Sequence, residues 1–343
     1  MITPTPRPTS KYIPIIKWQM WEQRALKHLA IDITPNVLPC IEARFADQQA
    51  QLAEKLASTW TQPIIVDFAN PNGYLSGSRQ SALNNFLIEA KTKGISVIPA
   101  LNPEDASAIA SAGLLGQMAA CGEVALRIRL GQYNIPQQTI DACKVAGSEL
   151  SSQKAKVRLL IDFQETPSSW TPAELQSLAA SVKQLCALPF TEIHFASGAF
   201  PASLESVKAG MQFIRQDWKL WCDLQGSLTG HSIGYSDYGV LSPSWSETTL
   251  IRRSNSTHLK YTSNDHWLVL RTGGKTRAEL IALSTLLIHN HSHLFKGASY
   301  SYGDKIIADR VNPAVSLKNK CCGNCNITDA WNHHITFVVK EHY

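Results

Sequence analysis

Short apolar runs recur along the chain, each bounded by polar or turn-forming residues. The clearest are Val157-Arg-Leu-Leu-Ile-Asp-Phe163 and Pro63-Ile-Ile-Val-Asp-Phe68, two versions of one phrase with Asp162 and Asp67 near their C-terminal ends. Six further runs resemble them, at 12–17, 36–42, 95–101, 123–130, 191–197 and 233–241. Continuous apolar runs of this length predict strands buried on both faces. The intervening segments carry apolar residues at helical spacing, over 21–30, 47–58, 81–93, 106–120, 136–150 and 171–187, and a seventh helix is expected from Pro201 to near Trp218 or Trp221. Local signals agree. Gly94 follows a helix as a C′ glycine does. Asn102-Pro103-Glu104 reads as an N-cap with proline at the first helical position. Thr171-Pro-Ala-Glu174 is a capping box.

Eight strand–helix alternations predict an α/β fold, a (β/α)₈ TIM-type barrel. A doubly wound open sheet would place a glycine-rich phosphate turn after the first strand. Lys17-Trp-Gln-Met20 contains no glycine, which favours the barrel. Beyond Leu241 the pattern changes. Segments 257–263 and 267–271 read as a hairpin joined at Asn264-Asp265, and 276–290 reads as a helix. A glycine- and tyrosine-rich loop spans 296–304. The expected organisation is a flexible tail over 1–10 and one barrel domain over 11–343, with 242–330 as an insertion that caps the mouth.

Composition narrows the class. The 343 residues are 44% hydrophobic and 17% charged, as in folded rather than disordered proteins. A net charge of +5 is small for the length and gives no strong nucleic-acid signal. No apolar run reaches membrane-spanning length and no signal-type segment stands at the N-terminus, so a cytoplasmic location is expected. Cys40, Cys121, Cys143, Cys186 and Cys222 are scattered among apolar residues and read as reduced core thiols.

Active sites of such barrels lie at the C-terminal strand ends. Those ends present Lys17, Glu42, Asp67, Asn102, Arg127 with Arg129, Asp162, Ser197 and Asp237. In a ligand-binding reading, Glu42, Asp67, Asp162 and Asp237 are candidate catalytic acids or bases. Lys17, Arg127 and Arg129 would hold a small anion such as a phosphate. Carboxylates from several strands could also take a divalent metal, although no histidine stands at metal-ligand spacing among the strand ends and no metal ligand is assigned. The plainer alternative pairs these charges with one another. Asp162 is expected to matter for ligand binding rather than for folding, so that its loss leaves stability intact; the rival reading makes it a structural partner of Arg127 or Arg129. Cys321, Cys322 and Cys325, followed by His333-His334, invite comparison with zinc sites, but adjacent histidines and the short spacing argue against one. Tyr300, Tyr302 and Trp331 could stack on a base or sugar, or cover the rim.

An ordered set of phrases runs through the chain: Tyr12-x-Pro14-x-x-Lys17, Pro39-x-x-Glu42, Trp218-x-x-Trp221, Asp237-Tyr238-Gly239, Tyr261-Thr262, Gly297-x-x-Tyr300-Ser301-x-Gly303-Asp304 and Trp331-x-His333-His334. Together they resemble the beta protein family, named after the beta protein of T-even phage. The resemblance implies a phage, prophage or antiviral-defence setting and brings no reaction with it. It overlaps the strand-end ring at Lys17, Glu42 and Asp237. It adds Tyr238 to the candidate ligand-binding residues, and places Asp304, His333 and His334 in a cap over the mouth. Two functions follow as expectations. One is a hydrolase or lyase acting on a small anionic, phosphate- or nucleotide-like ligand. The other is a non-catalytic module that binds a protein partner in phage–host conflict.

Overall fold

In a computed structural model describing residues 7–8, 10–43, 49–75, 77–131, 134–244, 256–322 and 325–343, eight parallel strands close into a barrel. The strands in chain order are β1 (Ile13–Lys17), β2 (Cys40–Glu42), β3 (Ile64–Asp67), β4 (Val97–Leu101), β5 (Glu123–Arg129), β6 (Lys156–Glu165), β7 (Glu192–Gly198), β8 (Gly210–Ile214), β9 (Gly234–Asp237), β10 (His258–Thr262) and β11 (His266–Arg271). All but β8, β10 and β11 belong to the barrel, and β9 closes it by pairing with both β7 and β1. Most of the expected tail, the start of the helix expected at 47–58 and the side chain of Cys325 lie outside the described residues.

The helices are α1 (Met20–Lys27), α2 (Gln49–Thr59), α3 (Ser78–Thr92), α4 (Ala106–Ser111), α5 (Leu114–Ala119), α6 (Gln137–Ser152), α7 (Pro172–Cys186), α8 (Gln216–Ser227), α9 (Arg277–Asn290), α10 (Tyr302–Val311) and α11 (Cys325–Phe337). Their starts follow local chemistry. Thr171 and Glu174 form a complete capping box on α7, and Thr276 and Glu279 form another on α9. Ser301 caps α10 by accepting from the Asp304 amide.

Two expectations are corrected. The helix expected over 106–120 is two helices, because Gly113 adopts a left-handed conformation between α4 and α5. The segment expected to run helically from Pro201 contains strand β8. It pairs antiparallel with β11, and β10 completes a three-stranded sheet. Gly210 breaks the helical pattern there, and Phe213-Ile214 favour pairing. The hairpin therefore joins a strand that arrives from before the last barrel strand.

Strand alternation sorts side chains to two sides of the barrel wall. The lumen holds Ile13, Ile15, Cys40, Ile65, Ile98, Ala100, Ala125, Leu160 and Ala196. Outward-facing Ile16, Ile41, Val66, Leu126, Ile128, Leu159, Ile161 and Phe195 join the helices in the main core. At the N-terminal end Arg158 plugs the lumen, ion-paired with Glu123 and Glu192 beside buried His194. Arg127 occupies the other end.

The C-terminal region closes against the barrel through α10 and α11. Gly303 lies so close to α11 that an added Cβ would sit 2.3 Å from the Asp329 carbonyl oxygen. That obstacle is backbone and cannot rotate away. Gly303→Ala should therefore push α10 from α11 and cost about 1–3 kcal/mol or more. Chemical denaturation of the variant beside wild type checks this, and an unchanged midpoint would show that the helices are not held at this spacing.

Candidate functional site

Alternation along β5 and β6 directs Arg127, Arg129 and Asp162 into the C-terminal mouth, where β1, β2 and β3 contribute Lys17, Glu42 and Asp67. Register brings the groups level. Lys17 pairs with Glu42, Glu42 with Asp67, and Arg129 with Asp162. Arg127 stands at the centre. Its guanidinium donates to Asp67 Oδ2 at 2.6 Å, to Glu42 Oε1 at 2.9 Å, to Asp162 Oδ2 at 2.7 and 3.0 Å, and to the Tyr238 hydroxyl at 3.0 Å. The Tyr238 hydroxyl in turn donates to Asp162 Oδ2 at 2.7 Å. Arg129 donates to Asp67 at 2.8 Å. Two backbone amides complete the set, Ala69 to Asp67 Oδ1 and Gln164 to Asp162 Oδ1.

The cluster is desolvated, with Arg127 only 2% and Asp162 0% exposed. Burial opposes the charge on Arg127, but Tyr238 and the surrounding carboxylates outweigh it and hold the guanidinium ionised. Burial likewise pushes Asp67 up, and Arg129, Arg127 and the Ala69 amide bring it below the ordinary carboxylate range. The three cations expected to await an anion are thus engaged by the protein's own oxygens. Lys17 donates to the Ser242 carbonyl at 2.7 Å and to that of Ser244. Among the described residues one polar atom of the cluster is left over: Glu42 Oε2 is buried without a hydrogen-bond partner. Among the described residues no group of three or more His, Cys, Asp or Glu is placed to hold a metal ion.

Asp237 does not join this ring. It follows Tyr235 by two residues on the outward face of β9 and lies in a second buried polar cluster, between the barrel wall and α11. Tyr12 donates to Asp237 Oδ1 at 2.5 Å, and His334 Nε2 lies 3.0 Å from Oδ2. Arg215 stands 3.6 Å away. Burial holds the His334 imidazole below its ordinary range. The neutral ring donates from Nε2 to Asp237, and its Nδ1 accepts from Thr262, 2.9 Å away. The Tyr235 hydroxyl is 2.7 Å from both Asp217 and Asp237 but has one proton to give. Burial raises Asp217 to about 6, while Asp237 stays ionised below the ordinary range. A protonated Asp217 donating from Oδ2 to Tyr235, which donates to Asp237, gives each of these protons one acceptor, while Asp217 Oδ1 has no partner among the described residues.

Asp304 and His333 also fall in this seam rather than over the mouth. Asp304 accepts from Tyr261 at 2.6 Å and Ser301 at 2.5 Å, and faces His333 Nδ1 at 2.8 Å. Burial raises its carboxyl, yet His333, Ser301 and Tyr261 hold it below the ordinary range. His333 Nε2 faces the Thr262 carbonyl at 3.0 Å. Both ring nitrogens therefore meet acceptors, and the ring stacks on Tyr261 at 3.9 Å. The aromatic residues proposed for stacking on a ligand are engaged internally. Trp331 is 1% exposed, Tyr302 stacks on His28, and Tyr300 donates to Glu341. Cys321 is disulfide-bonded, whereas Cys322 and the five scattered cysteines form no disulfide. Tyr12, Arg215, Asp217, Tyr235 and Thr262 were not among the residues expected to form a site.

The sequence profile described as Beta protein matches residues 12–340. The chain belongs to the Beta protein family. The phrases that carry the family resemblance now have physical roles. Lys17, Glu42 and Tyr238 fill the mouth; Tyr12, Asp237, Tyr261, Thr262, Asp304, His333 and His334 form the seam. Trp218 and Trp221 stack at 5.0 Å against Tyr235. Gly239, at φ +59, leaves room for the Trp331 ring, which a Cβ would meet at 2.4 Å.

No curated protein matches the sequence. Among solved structures, the tryptophan synthase alpha-subunit of Pyrococcus furiosus aligns with 12% identity and a TM-score of 0.39, over 68% of this chain and 88% of that one. The carboxyl transferase domain of Rhizobium etli pyruvate carboxylase aligns with 12% identity and a TM-score of 0.33, over 66% and 39%. The biosynthetic arginine decarboxylase of Campylobacter jejuni gives 9% and 0.39, over 97% and 56%. Alignments this loose carry nothing about chemistry, and the barrel rests on its own strand pairing.

The geometry makes Asp162 a structural partner of Arg127. Asp162→Asn should destabilise the fold by on the order of 3–5 kcal/mol, because it leaves a buried guanidinium undercompensated. Urea titration reads this directly, and a midpoint like that of wild type would restore the ligand-only role.

The seam and mouth also set a pH signature. Asp67, Asp237 and Asp304 are depressed in the fold. Their contribution is present above about pH 4, the unfolded value, and is lost as pH falls through their folded values. Asp217 has the opposite sign. Raised to about 6, its contribution is complete below about pH 4 and lost as pH rises through 6. Asp217→Asn should therefore lose less stability than wild type between about pH 4 and 6. Melting temperatures of both proteins across that window check the sign; parallel curves would refute the raised carboxyl.

Proposed function

We propose that this Beta protein family barrel is a non-catalytic recognition module whose C-terminal mouth holds a ligand or partner without transforming it. The observation that carries this reading is the mutual saturation of the strand-end charges. Glu42, Asp67 and Asp162 are tied to Arg127 and Arg129 in a desolvated cluster. A general acid or base has to reach its substrate's proton. These carboxylates are instead turned toward guanidiniums, and Asp162 and Asp67 each use both oxygens. The cluster gives the surface above it a rigid floor. The phage or antiviral setting implied by the resemblance is part of the proposal, with binding as the means of interference.

A hydrolase or lyase is the second reading. The buried Oε2 of Glu42 favours it, as the carboxylate oxygen of the cluster that has no hydrogen-bond partner among the described residues.

Incubation of the purified protein with a small-molecule extract, followed by mass spectrometry, separates the two. A recognition module returns its ligand chemically intact. Time-dependent conversion of any component, abolished by Glu42→Gln in a variant that still folds, would replace the binding reading with the enzymatic one.

A further inference from the structure

We propose that a cavity above the mouth binds a small organic cation, an amine or guanidine carried on a short chain; this rests on the recognition role inferred above and names its ligand class. The cavity measures about 370 Å³, within the general range of small-molecule sites. It lies among the loops that follow β3, β5, β6 and β9, and its walls include Asn72, Gly131, Phe163, Gln164, Glu165 and Ser244.

Charge selects the ligand. Glu165 is exposed and, among the described residues, is the one ionisable side chain in the cavity wall and makes no ion pair. Among the described residues the mouth cluster supplies no spare positive charge. Glu42, Asp67, Asp162 and Glu165 set four carboxylates against the guanidiniums of Arg127 and Arg129 and the ammonium of Lys17. That ammonium is turned onto the Ser242 and Ser244 carbonyls. Among the described residues an anion would find no unengaged cation and would face the Glu165 carboxylate, whereas a cation meets that unpaired carboxylate. The side-chain amides of Gln164 and Asn72 make no hydrogen bond among the described residues, so each can orient a bound amine.

Backbone geometry indicates that Gln164 is presented deliberately. The β6–β7 register shifts between Asp162 and Glu165, as at a bulge that re-aims side chains. Gln164 sits at φ +53, a conformation that favours glycine. Its amide is held there by Asp162 Oδ1 at 2.9 Å. A non-glycine residue kept in this conformation beside a cavity is strain retained in place of stability.

The test is isothermal titration calorimetry of the full chain with putrescine, arginine methyl ester, inorganic phosphate and glucose. Binding of at least one of the two cations is expected, with phosphate and glucose inert. Glu165→Gln, at an exposed position, should fold normally and weaken the cation by roughly tenfold or more. Gln164→Gly should keep or raise the melting temperature while weakening binding several-fold. Cation binding unaffected by Glu165→Gln overturns the proposal, as does silence from all four probes. Binding of phosphate or glucose in place of the cations overturns the ligand class but leaves the recognition role standing. Conversion of a bound probe would instead sink that role, whatever the charge of the ligand.

Discussion

A guanidinium stripped of water must be matched on every side, and Arg127 imposes that demand on half the barrel. Its partners come from β2, β3, β6 and the turn after β9, so one side chain fixes the relative height of strands far apart in sequence. The arrangement is costly to break and of modest net stabilisation when intact, since desolvation offsets most of the Coulomb gain. What it supplies is specificity of register. A strand slipped by one residue would send its carboxylate through the wall and leave the guanidinium unpaired. Arg158 repeats the device at the opposite end with Glu123 and Glu192. The apolar lumen is held between two ionic plugs.

The seam obeys the same rule with weaker charges and more hydroxyls. Tyr12, Tyr235, Tyr261, Ser301 and Thr262 surround Asp237, Asp304, His333 and His334, and nearly every proton in that network has one consistent place. A buried polar network of this kind is stabilising only when complete. All of these residues except Tyr235 lie in the phrases that carry the family resemblance, and they serve the closure of the fold rather than an open site. Both clusters are arrangements of protein atoms for one another. The cavity above the mouth, by contrast, presents the side chains of Asn72, Gln164 and Glu165, which make no hydrogen bond or ion pair among the described residues.

The barrel was legible because buried parallel strands leave continuous apolar runs, and because caps such as Asn102 and Thr171 mark helix starts in the sequence itself. Lys17, Glu42, Asp67, Arg129 and Asp162 could be grouped because each ends a strand. Asp237 looked equivalent but was not. Side-chain direction alternates along a strand, and the parity of β9 sends Tyr235 and Asp237 outward. The partner that decides this, His334, lies almost a hundred residues further on. Strand β8 was missed because its pairing partner, β11, follows only after the last barrel strand. Gln164 and Glu165 gave no signal at all. Their role comes from a bulge, and a bulge is a property of two strands together.

The seam joins the first barrel strand to the last long helix. Tyr12 and His334 both meet Asp237, and 322 positions separate the two. Closing so long a loop yields nothing until both ends are present, which places this contact late in assembly. The β5–β6 ladder, with seven consecutive paired positions between neighbouring segments, is better placed to form early. During synthesis the eight barrel strands would then precede the imidazole that meets the outward-facing acid on β9. The order of the chain thus makes the seam a latch: the last helix to emerge fastens the first strand.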